Sequence, residues 1–144
     1  RVWTTPPARR YDRHDRATAT GDRPAGPLMA GVGEFLLHGE EFRAPAGIRA
    51  EVPAETAAAT LQWFAGHDFT EYSRSRAKGL RLIASDAATE IGEGAEVRGR
   101  ALSLLVALSG RPVLSGELQG PGAASLIHRG GADWKPRRER TRGP

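Results

Sequence analysis

A chain of 144 residues can bury one good core or two small ones, and with no cysteine it has no disulfide, thiolate metal site or cysteine nucleophile. No apolar run approaches the ~20 residues that span a bilayer, and the polar, Pro/Arg-rich start does not read as a signal peptide; with the lack of cysteine fitting the cytosol, a cytoplasmic, non-membrane protein is expected. The formal charge of +4 sits at the ends, with six Arg against three Asp in residues 1–26 and five basic against two acidic residues in 130–144. Nucleic-acid binding needs Lys and Arg gathered on one folded face; these ends give no such face, so no nucleic-acid partner is expected.

Residues 1–26 have Pro6-Pro7, dispersed charge and no apolar period, and are expected to be a disordered leader. His14 lies there and is expected to be solvated. Residues 27–42 are predicted helical, with Pro27 in the first turn and Leu28, Val32, Phe35 and Leu36 as one apolar stripe. Gly31, Gly33 and Gly39 each weaken this helix by about 1 kcal/mol relative to Ala, so it needs tertiary partners. Pro45 ends it. A second helix is predicted over 53–65, with Thr56, Ala59, Thr60, Trp63 and Phe64 on one side and Gly66 after its end. His67 is expected at the surface. Asp68 and Glu71 have the spacing of a capping box and predict a short helix over 68–78.

A strand meander follows. Leu80, Leu82 and Ala84 alternate with Arg81, Ile83 and Ser85. Asp86-Ala87-Ala88 turns the chain into a short strand at 89–91. Gly92-Glu93-Gly94 is expected as a hairpin turn into a third strand at 95–98. Residues 101–109, ALSLLVALS, are apolar nearly all round and predict a buried helix on the sheet. Leu82, Val97, Leu102, Leu105 and Val106 are the expected core. A last helix is predicted within 121–129, with His128 near its exposed end, and 130–144 is expected to be a disordered basic tail.

One pair of residues carries chemistry. Glu34 and His38 are four apart and share a helix face, with Glu41 a turn further on. A Glu oxygen and a neutral His nitrogen suit zinc or a similar divalent ion, although a catalytic zinc usually takes three protein ligands. The ordinary alternative is an exposed i,i+4 pair worth a few tenths of a kcal/mol.

Two stretches together resemble a known family. EFLLHGEEFRAPAGI is similar to the E-x-x-x-H-x-x-D-x-R-x-P-x-G segment of mycothiol-dependent maleylpyruvate isomerase-like proteins. GLRLIASDAATEIGEGAEVRGRALSLLVALSGRPVLSGELQGPG is similar to their C-terminal domain. The resemblance covers roughly residues 27–129. It implies a DinB-like helical bundle carrying a divalent metal, typically zinc, followed by a small α/β domain similar to sterol-carrier-protein folds. Glu34 and His38 match two metal ligands of the family. Glu41 stands where Asp is usual, within range of an outer-partner role, and Ala44 where a second Arg is usual. Arg111 matches an Arg implicated in activity. The family's first ligand is a His on an earlier helix, and residues 1–26 are too short and polar to supply the upstream helices.

The expected fold class is therefore α+β: a remnant of a helical bundle over 27–78, then a small antiparallel sheet packed with helices over 79–129, sterol-carrier-protein-like. The chain, starting at Arg1, is expected to be a fragment. The activity implied by the resemblance is metal- and mycothiol-dependent isomerisation or thiol transfer on a small organic substrate. A metal lowers the pKa of a thiol, the thiolate adds to a conjugated double bond, rotation follows and the thiol leaves. Arg111 is the catalytic candidate, and Arg111 and Arg43 are candidates for holding the anionic thiol cofactor. The ordinary readings are a cation past a helix C-terminus for Arg111 and a solvated side chain for Arg43. The alternative function is a non-catalytic remnant or binding module built on the C-terminal domain. A bundle helix without its partners leaves an apolar stripe exposed and prone to self-association.

Overall fold

The computed structural model describes residues 26–43, 45–47, 51–68, 72–113, 116–131 and 133–137. His14 and the rest of the leader lie outside these residues. The described chain is α+β, with five helices and a three-stranded mixed sheet. The elements run α1 Gly26–Arg43, α2 Ala54–Ala65, α3 Ser73–Ala77, β1 Leu80–Ala84, β2 Glu90–Ile91, β3 Ala95–Gly99, α4 Ala101–Leu108 and α5 Ala123–His128.

α4 is the centre of the molecule. All eight of its residues are buried, as a segment apolar on every side requires. It packs on α2 on one side and on β1, β3 and α5 on others. Its first turn is capped from the β1–β2 turn, where the Asp86 carboxylate accepts a bond from the Ala101 amide at 2.9 Å. Leu82, Val97, Leu102, Leu105 and Val106 are all buried, as expected. One continuous core cluster joins Leu36 and Leu37 of α1, Leu61 and Phe64 of α2, the sheet, α4 and Leu126 of α5.

The sheet is not the antiparallel meander expected from the alternating pattern. Its order is β2-β1-β3. β1 pairs antiparallel with β2, Leu82 opposite Ile91, and parallel with β3, Leu80 opposite Ala95 through Ala84 opposite Gly99. Gly92–Gly94 is therefore no hairpin turn. It carries the chain beneath the start of β1, from one of its edges to the other. Two strand spacings amount to about 10 Å, and the four Cα steps from Ile91 to Ala95 reach at most ~15 Å, so only a close crossing fits. Gly92 and Gly94 have φ of +80° and +128°, and a Cβ on Gly94 would run into the Gly79 backbone. A pattern of alternation places residues on faces; it does not say which strand lies beside which.

The helices also depart from expectation in facing. On α1 the buried residues are Met29, Gly33, Leu36 and Leu37. Of the expected stripe, Leu36 is buried and Val32 half-buried, while Leu28 and Phe35 are exposed. The reason is Gly33, where the Phe64 ring of α2 occupies the space a Cβ would need. That close approach turns Gly33, with Met29, Leu36 and Leu37, onto the core and leaves Leu28, Gly31 and Phe35 outside. On α2 the buried residues are Ala57, Ala58, Thr60, Leu61 and Phe64. Thr56 and Ala59, expected on the inner side, are exposed, and the buried Thr60 hydroxyl donates to the Thr56 carbonyl at 2.8 Å. α3 is shorter than the predicted 68–78. Asp68 does not open it directly but reaches forward to accept from the Ser75 amide at 2.9 Å and hydroxyl at 2.6 Å.

The first residues of the expected basic tail lie against the body. Arg76, 2% exposed, donates to the Arg129 and Gly131 carbonyls, both at 2.9 Å, and lies over the Trp134 ring. Arg129 returns bonds to the Arg76 and Lys78 carbonyls. This crossed clasp fixes α3 and the end of α5 to each other.

Candidate functional site

Glu34, His38 and Glu41 project from the outer face of α1, and the fold brings Arg111 to them from the loop after α4. His38 is held at both ring nitrogens. Its Nε2 lies 3.1 Å from Glu34 Oε2, and its Nδ1 lies 3.2 Å from Glu41 Oε2. The other oxygen of Glu41 accepts from Arg111 Nε at 2.7 Å. The spacing of three and four residues puts the first three groups on one helix face. Arg111 reaches them because α4 ends at Leu108 and the chain turns outward there. Arg111 is mostly covered, at 19% exposed, whereas the other three side chains are about half exposed.

The Arg111 guanidinium, and after it His38, holds the Glu41 carboxyl below its ordinary pKa by hydrogen bonding. Glu41 thus stays a carboxylate, able to accept from the ring on one side and the guanidinium on the other. Glu41 is the residue whose importance was least visible in the sequence. Its position three after His38 is a signal for the ring contact, but its partner Arg111 is 70 residues away.

Of the predicted site residues, Glu34, His38 and Arg111 fall into one row joined by Glu41, and Arg43 does not. Its Nε lies 3.3 Å from Glu40 Oε1, on another side of α1. His67 stacks on the Trp63 ring at 4.3 Å between centroids and bonds the Trp63 carbonyl through Nδ1 at 2.6 Å. His128 is exposed at the end of α5.

The Glu34–His38 pair brings one carboxylate oxygen and one ring nitrogen together. Two donors each ~2.0–2.1 Å from a tetrahedral ion stand about 3.3 Å apart; Glu34 Oε2 and His38 Nε2 lie 3.1 Å apart, a separation that an ordinary hydrogen bond also gives. Glu41 cannot be the third donor in this arrangement, because it meets the opposite edge of the ring. Among the described residues no three His, Asp or Glu side chains gather to hold an ion. Comparison with protein-family models, curated proteins and solved structures finds no match to this chain.

Proposed function

We propose that this chain carries the Glu–His half of a divalent-metal centre, zinc being the ion its donors suit best, in a mycothiol-dependent isomerase or thiol transferase-like protein whose C-terminal part is of the sterol-carrier type. The observation that supports the metal reading most directly is the grip on His38. A metal-ligating imidazole commonly gives its second nitrogen to a carboxylate, which fixes tautomer and ring plane. Glu41 lies at Nδ1 in this way, and Nε2 stands 3.1 Å from Glu34 Oε2, where a bound ion would take the place of the proton between them. Bound there, a divalent ion would supply a lowered thiol pKa, the chemistry the resemblance calls for.

The protein's own part is positioning. Glu34 presents one carboxylate oxygen, His38 presents Nε2, and Glu41 keeps the ring from turning. Arg111 balances the Glu41 charge and fixes its rotamer, which favours a positioning role over direct contact with an anionic thiol or substrate. Arg43, paired with Glu40, is the weaker candidate for that contact.

A second reading, a non-catalytic binding module, is favoured by a different observation. The same Glu41–Arg111 pair ties α1 to the loop after α4 and needs no metal to be useful. Equilibrium dialysis against zinc separates the two. The metal reading expects uptake that His38→Ala abolishes and Glu41→Gln weakens by about 10–100-fold. Equal uptake by the wild type and His38→Ala would leave the binding-module reading standing.

A further inference from the structure

The outer face of α1 carries a second feature beside the half-site. Leu28, Phe35 and Phe42 are 60%, 77% and 81% exposed and recur every seven residues. Gly31 and His38 fall between them, at alternating steps of three and four. That is the seam of a helix packed lengthwise on another helix. Gly31 is a notch in it, since a Cβ there would meet nothing within 4 Å. Large aromatic side chains bury ~150–250 Å² each, so the mostly exposed Phe35 and Phe42 offer about 300 Å² per copy. Two copies offer about 600 Å² before Leu28 and the flanking Glu34, His38 and Glu41 are added, the range of a weak pairing below the ~1,200 Å² of a stable interface.

We propose that two copies of this chain pair antiparallel through this face of α1, so that the Glu34–His38 pairs of both chains meet at the two-fold axis and complete one cation site. The second half of this statement rests on the metal reading above. The seam is self-complementary in this sense of pairing and in no other. With the axis between residues 36 and 37, Phe42 seats over the partner's Gly31 and Phe35 over the partner's His38, alternating large with small as packed layers do. Parallel pairing would set Phe against Phe and leave Gly31 facing Gly31 across a void. An isologous contact of this kind closes as a dimer.

The same axis places the two His38 residues three positions apart along the helices, about 4.5 Å at ~1.5 Å per residue. Each chain contributes two donors, and four complete a tetrahedral set. Charge points the same way. Glu34 and Glu41 lie on one flank of the seam, so pairing brings four carboxylates together. His38 and Arg111 offset part of that charge, and a divalent cation between the chains offsets more. Pairing and cation binding must then strengthen each other.

The test is sedimentation velocity of the full chain over a wide concentration range, with chelator and with zinc, together with zinc content per chain. Zinc is expected to tighten the dimer by roughly 10–100-fold, with one ion per two chains. Phe35→Asp with Phe42→Asp, both at exposed sites, is expected to give a monomer with unchanged helical circular dichroism. Gly31→Leu, which fills the notch and favours helix, should weaken pairing without unfolding the chain. His38→Ala should keep the metal-free dimer and lose its response to zinc. A chain that stays monomeric with and without zinc, or a dimer indifferent to Phe35, Phe42 and Gly31, overturns the pairing. One zinc per monomeric chain overturns the shared site and leaves the metal reading intact. A dimer that depends on both Phe residues but takes up no zinc overturns the shared site and the metal reading together.

Discussion

Replacing Gly94 by Ala tests the strand crossing that sets this sheet apart from a meander. Gly94 has φ +128°, a backbone region nearly closed to residues with a Cβ, and holding Ala there costs about 1–3 kcal/mol. The added methyl would also press on the carbonyl of Gly79, which accepts the Ala95 amide at 3.3 Å. Losing that bond adds ~0.5–1.5 kcal/mol. The expected destabilisation is therefore about 2–4 kcal/mol, against a typical domain stability of ~5–15 kcal/mol, so the variant still folds. Gly79→Ala is the control: φ is +75° and nothing lies within 4 Å of its Cβ position, so only left-handed strain of about 1–2 kcal/mol applies. Urea melts of both variants measure the difference, a midpoint shift on the order of 1 M at an m-value of ~1–3 kcal/mol/M. If Gly94→Ala costs no more than Gly79→Ala, the chain does not cross beneath β1 at Gly79, and β3 lies beside β2 after all.

Leu105 is fully buried in α4, and Leu105→Ala is expected to cost ~2–5 kcal/mol in a denaturant melt; a negligible loss would remove α4 from the centre of the core. In chelated protein the Glu41 carboxyl should titrate below the ordinary carboxylate value by carboxyl-detected NMR, and Arg111→Gln should return it upward. Because the folded value is the depressed one, the contribution of the Glu41 contacts to stability is complete above the unfolded pKa and disappears as pH falls through the folded one. No movement of the Glu41 titration in Arg111→Gln would refute the coupling. Arg111→Lys keeps the charge but not the Nε–H directed at Glu41, so the fold should persist while zinc affinity falls by less than in Glu41→Gln; an unchanged affinity would return Arg111 to the role of a cation beyond a helix end.

What could be read from the sequence divides along physical lines. The burial of ALSLLVALS needed no partner to be named, because a segment apolar on all sides has only one place to go. The β1–β2 turn was legible from Asp86-Ala87-Ala88, although the capping of α4 by Asp86 was not, since that bond spans 15 positions. The Gly92–Gly94 stretch carries the same residues as a hairpin turn, and only its surroundings decide between turning and crossing. On α1 the expected stripe of Leu28, Val32, Phe35 and Leu36 pointed to one face, and Gly33 lies on another beside Met29 and Leu37. Contact through Gly33 won, because close approach of two helices gains packing against Phe64 that a bulkier residue would prevent. That choice left Leu28, Phe35 and Phe42 outside.

The same rotation of α1 decides where the candidate site lies. Were the large apolar residues turned inward, the Glu34–His38–Glu41 row, which lies beside them on the helix, would be carried toward the core and away from solvent. With Gly33 facing Phe64, the row stands at the surface, within reach of Arg111. Arg111 in turn is placed by the end of α4, the most deeply buried element. The setting of this row therefore depends on two features outside the E-x-x-x-H motif, a glycine that admits an aromatic ring and an arginine that follows the central helix. A sequence carrying the motif without both would retain Glu34, His38 and Glu41 on one helix face and lose the Arg111 bond that orients the Glu41 carboxylate.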